Sequence, residues 1–163
     1  MTRVYLPTTL GGLAAAQADG VLRPPMTAHA VTPAVREWYI EGDLEELEYV
    51  AFTEAAEASL RMLADAPSQA RRRVVIAVDV PDDAVSATDD PRFRSAVLVS
   101  ARVAVAAVAS VHVDEDVAEP VIIQAIAALP AADLGDDDAR FMLDEAEAAE
   151  LLWYDVSEIG DLI

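Results

Sequence analysis

With 163 residues, 54% of them hydrophobic, and a formal net charge of −19, the chain reads as one folded domain with its charge on the surface, which excludes a disordered segment. The acidic balance excludes a nucleic-acid binder, because it repels a phosphate backbone and no basic stripe with interleaved aromatics occurs. The absence of cysteine removes disulfide scaffolds, thiolate metal sites and cysteine nucleophiles.

Every basic residue other than the two histidines is arginine, and lysine and asparagine are missing as well. That usage reflects a GC-rich codon supply, and it equally suits a salt-loving organism in which carboxylates keep proteins hydrated. Pro7 and Gly11-Gly12 interrupt the apolar character of the first twenty residues, so no signal peptide is expected. The run VAVAAVASVHV is too short to cross a bilayer and is cut by His112. These features predict a cytoplasmic protein without a membrane partner.

In chain order, Arg3 to Leu6 is a short run of β-formers, and Thr8 or Thr9 can cap an alanine-rich helix closed at Gly20. Gly11 and Gly12 weaken that helix or mark close packing. Leu22-Arg23-Pro24-Pro25 is a stiff extended connector to a strand over Ala28 to Val31. Thr32-Pro33 is a helix start with proline in its first turn, and Gly42 is a stop. Asp43 with Glu46 opens a long helix from Leu44 to about Ala64. Leu44, Leu47, Ala51, Ala55, Ala58 and Met62 form one apolar stripe on it, opposite an acidic face in which Glu57 and Arg61 are spaced for an ion pair.

VVIAVDV, bounded by Pro81, reads as a central strand covered on both faces, followed by an Asp-rich loop over residues 82–92. Two more strands are expected at Ala96 to Val99 and Val108 to Val113, and the tract between them reads equally as helix or strand. Asp116 with Glu119 begins a helix ending at Leu129, before Pro130. The segment ARFMLDEAEAAELLW is one helix or a helix followed by a break, and residues 155–163 read as a flexible acidic tail.

The resulting fold class is α+β: a single domain with a mixed sheet packed by helices. An echo between Arg3–Pro7 and Arg73–Pro81, and between His29 and His112, suggests two related halves, residues 1–66 and 71–163.

His29 and His112 are the two side chains that titrate near neutrality, so they are the candidate general bases, and Asp114 shares a strand face with His112. The plain alternative is that both histidines are hydrogen-bonded structural groups. Acidic clusters at residues 114–119 and 136–138 offer oxygen ligands for a hard cation, but they follow no EF-hand spacing and suit helix capping better, so no metal is assigned. Arg71, Arg72 and Arg73 are the candidate anion or ligand site, with ion pairing or solvation as the alternative. No phosphate-cradling glycine loop is present and no cofactor is expected. Trp38-Tyr39 and Trp153-Tyr154, both flanked by acids, are candidate interface anchors or core plugs.

The segments RVYLP, HAVTPAVREWY, EELEY and ELLWYDVSEI together resemble a family of uncharacterised proteins from high-GC Gram-positive bacteria, and the resemblance spans most of the chain. It implies no activity, cofactor or catalytic residue. The sequence favours a protein-binding or regulatory module with an unidentified protein partner, a homodimer being one form of it, over an enzyme. A small-ligand site or enzyme built from His29, His112 and nearby carboxylates is the runner-up, and an acidic nucleic-acid mimic is the third reading.

Overall fold

Strand β1 (Thr2–Thr8) lies at the middle of a seven-stranded sheet, and its two faces divide the molecule. The computed structural model describes all residues 1–163. Val4 and Leu6 point to one side and Tyr5 to the other, as strand alternation requires. Beside β1 run β3 (Met26–His29) and β4 (Val74–Val80); beyond them β6 (Ala96–Val99) and β5 (Val85–Ala87) complete one edge, and β8 (Ser110–Asp114) and β9 (Leu151–Tyr154) the other. A separate two-stranded ribbon pairs β2 (Val21–Leu22) with β7 (Val103–Ala104).

The α+β class stands, but the sheet is antiparallel throughout rather than mixed. Short β2 supplies the reason. Coming after helix α1 (Leu10–Asp19), it turns the chain once more, so β3 enters beside β1 in the opposite sense instead of as a parallel βαβ unit. Between β8 and β9 the same result comes from two helices in tandem, α4 (Glu119–Asp133) and α5 (Asp137–Ala148). β1 leads into a helix, whereas β4 leads into β5 and β6, and β6 pairs with β3 in the one sheet.

Helix α3 (Leu44–Ala64) covers the Tyr5 face, begun by Asp43, whose side chain accepts from the Glu46 amide at 2.9 Å. It follows a short α2 (Pro33–Trp38) capped by Thr32. Leu47, Ala51 and Ala55 are buried as the apolar stripe requires, with Leu60 buried beside them, while Leu44 and Met62 are exposed and Ser59 is fully buried. Ser59 Oγ donates to the Thr8 carbonyl at 2.7 Å and accepts from the Val74 amide at 3.0 Å, tying α3 to β1 and β4. Its hydrogen bonds remove the desolvation cost that a sequence stripe charges to a polar residue. Helices α4 and α5 pack on the outer side of α3 through Ile122, Leu129 and Leu143.

Pro130 does not end α4, which continues to Asp133: proline there removes one amide near the end of the helix. Asp116 makes no side-chain cap, and a 3₁₀ turn precedes the helix instead. Gly11 and Gly12 are close-packed, since a Cβ on either would collide with Gln69 or Thr8. On the opposite sheet face Val4, Val78 and Val111 are buried beneath α1, which contributes Leu13, and the short C-terminal helix α6 (Ile159–Leu162). Residues 155–163 are thus docked rather than a flexible tail, with Ile159 only 1% exposed. Their Asp155 and Glu158 complete a reciprocal cap with the backbone.

Candidate functional site

Two rows of residues cross the Tyr5 face. One runs His29, Tyr5, Ala77, Ser110; the other runs Val75, His112, Trp153. His29 and His112 are therefore not brought together: three strand spacings of about 4.8 Å separate the His29 strand from the His112 strand, and Tyr5 stands between them.

His29 is buried in a structural network. Its Nδ1 bonds Ser95 Oγ at 2.8 Å, the Ser95 amide donates to Glu54 at 3.1 Å, and the Phe93 ring meets the imidazole edge-on at 5.2 Å. Burial lowers the His29 pKa to about 4 and raises that of Glu54.

His112 faces a cavity of about 730 Å³ between the first half of α3, strands β1, β4, β8 and β9, and the end of α5. Small side chains at Ala77 and Ser110 keep the floor low between Tyr5 and His112. Phe52 is wedged above, its ring 4.9 Å from His112, 5.8 Å from Tyr5 and 6.3 Å from Tyr49. Trp153, 59% exposed, forms the outer wall. His112 Nε2 bonds Ser110 Oγ at 3.0 Å; burial, with the Arg3 charge adding to it, lowers the imidazole pKa to about 4, so the ring is neutral at pH 7. The Tyr5 hydroxyl donates to Glu48 at 3.3 Å, and burial together with the Glu48 charge pushes it up to about 12.

Asp114 shares its face with His112 but is committed elsewhere. Fully buried, it takes two bonds from the Arg73 guanidinium at 2.8 and 2.7 Å and one from the Arg73 amide at 2.8 Å. Arg73 also donates to the Ala149 carbonyl at 2.9 Å, which pins the α5–β9 connection at the back of the cavity. Arg72 donates to the Asp114 carbonyl at 2.8 Å and Arg71 to the Leu63 carbonyl at 2.6 Å, so all three arginines are engaged by the fold. Arg3, at the cavity mouth, is held bidentately by Asp79 at 2.8 and 3.0 Å.

The aromatic pairs separate. Trp153 belongs to the cavity and Tyr154 points to the opposite core. Trp38 and Tyr39 lie at the end of α2, where the Arg94 guanidinium stacks 3.7 Å from the centre of the Trp38 ring. The sequence reading missed Tyr5, Phe52, Tyr49 and Ser110 as site residues. Two signals were available: Ser110 lies two residues before His112 on a strand, and Tyr49 and Phe52 lie three apart on a helix. What it lacked was the strand order that sets β1 beside β4 and β8.

A family model described as a family of unknown function, DUF6912, matches residues 2–163. The chain belongs to DUF6912. Beyond this DUF6912 assignment, no curated protein and no solved structure matches the chain. No helix of this DUF6912 member is long and apolar enough to cross a membrane.

Proposed function

We propose that the protein binds a small organic molecule in the cleft between α3 and the sheet. The observation that carries this reading is the convergence of Tyr5, Phe52, His112 and Trp153 on one concavity of about 730 Å³, large enough for a metabolite-sized ligand. Neutral His112 and Ser110 at the floor supply hydrogen-bonding groups that orient a ligand. The pair resembles a base with its hydroxyl, but no carboxylate holds the second imidazole nitrogen, so binding is favoured over nucleophilic catalysis.

The test fills the floor. Ala77→Leu projects a larger side chain into the cleft, and a thermal-shift screen of a metabolite library is run on both proteins. At least one ligand is expected to raise the melting temperature of the wild type and not of the variant; a screen in which every hit stabilises both equally sinks the reading.

A protein-binding role has separate support at the α2–α3 turn, where Trp38 is 62% and Ile40 82% exposed beside Glu37, Glu41 and Glu46. An apolar patch flanked by these acids, with Arg94 stacked on Trp38, on a chain of net charge −19 suits a basic protein partner. Ile40→Asp is expected to abolish capture of such a partner, and capture that is insensitive to this change removes the reading.

A further inference from the structure

Resting on the ligand-binding reading above, the geometry points to an organic cation, an ammonium-bearing small molecule, as the occupant of the cleft. Three features of the lining converge on that chemistry.

The first is charge. Glu45, Glu48, Glu147 and Glu150 line the cleft, and its two guanidiniums are already neutralised, Arg3 by Asp79 and Arg73 by Asp114. A cation entering there meets carboxylates whose compensation is incomplete, whereas a carboxylate or phosphate finds no free positive group. The second is the wall. Tyr5, Tyr49, Phe52 and Trp153 line one space, and aromatic ring faces attract a cation within about 6 Å of their centres. The third is the imidazole: His112, neutral at pH 7, adds no repulsive charge beside the rings, and its ring is held against Phe52. A desolvated ammonium gains from both carboxylates and rings, and a neutral ligand of the same shape gains from the rings alone.

The experiment uses the full chain carrying Trp38→Phe, so that Trp153 alone reports by fluorescence. Benzyltrimethylammonium is titrated against its uncharged isostere neopentylbenzene and against benzoate. The expected result is a saturable change with the ammonium and at least roughly ten-fold weaker binding of the other two. Glu48→Gln combined with Glu147→Gln is expected to weaken the ammonium roughly three- to ten-fold while leaving the isostere unchanged. Equal or tighter binding of the isostere or benzoate overturns the cation assignment while the ligand-binding reading stands. Binding of the ammonium without any change on the double substitution overturns it too. If no probe perturbs Trp153, the cation assignment falls, and the Ala77→Leu screen decides the cleft separately. A lysine-bearing peptide that binds more tightly than the free ammonium overturns the small-molecule source.

Discussion

At the scale of single residues, the two histidines are held neutral by different surroundings: His29 by full burial against Phe93 and Ser95, His112 by partial burial under Phe52 beside Arg3. Both folded-state pKa values lie near 4, below the ordinary 6.5, so the unfolded chain takes up protons that the folded chain refuses. The associated stability is complete above pH 6.5 and is lost as the pH falls toward 4, with an upper limit of roughly 3 kcal/mol for each ring. Denaturant unfolding at pH 7 and pH 4.5 is expected to show that loss, and His29→Gln, which keeps a partner for Ser95, is expected to flatten the slope. An unchanged slope in that variant means that His29 is not the group responsible. The residue types were legible in the sequence, but their roles were not. Asp114 looked available to His112 because alternate strand residues share a face; only the return of the chain at Arg73, forty-one positions earlier, shows that it is taken.

Among the elements, most helix starts with a capping signal appear where the sequence placed them, the Asp116 start excepted. Thr9, Thr32, Asp43 and Asp136 each accept a backbone amide at a helix start, and α3 begins at Leu44 and ends at Ala64. Capping chemistry is local, so it can be read from a few neighbouring residues. The short strands β2, β5, β7 and β9 were not legible as strands, because runs of two to four residues owe their state to a partner across the sheet rather than to their own composition. Leu151–Trp153 read as the end of a helix or the residues after a break in it for this reason, although Leu151 and Trp153 line the cleft. Ser59 is the converse case, a polar residue inside a helix whose value lies in two other elements. Ser59→Ala leaves the Val74 amide without its acceptor and is expected to cost about 1–3 kcal/mol in chemical denaturation. A change below a few tenths of a kcal/mol shows that the tie is dispensable.

For the molecule as a whole, the sheet is a partition with a different core on each side. The Tyr5 side holds α3 and the cleft; the Val4 side is sealed by α1 and by the last residues of the chain. Ile159 is the plug of that second core. Ile159→Ala is expected to cost about 2–5 kcal/mol, without altering ligand binding on the opposite face. Loss of cleft binding at a temperature where the variant is still folded shows that the two cores are coupled through the sheet. Such a division follows from strand order, and strand order depends on pairings between residues too far apart for any local pattern to reveal.

Those distant pairings also set a timetable. Thr2 pairs with Val80 and Thr8 with Val74, so the strand made first has no β4 partner until some seventy residues later. At about 5–20 residues per second, the nascent β1 waits several seconds beside the ribosome with Val4, Tyr5 and Leu6 uncovered. Its other neighbour, β3, is made earlier, β6 then pairs with β3, and β9 joins β8 at the edge. The wall that carries Trp153 therefore closes only after β8 and the two tandem helices have been made.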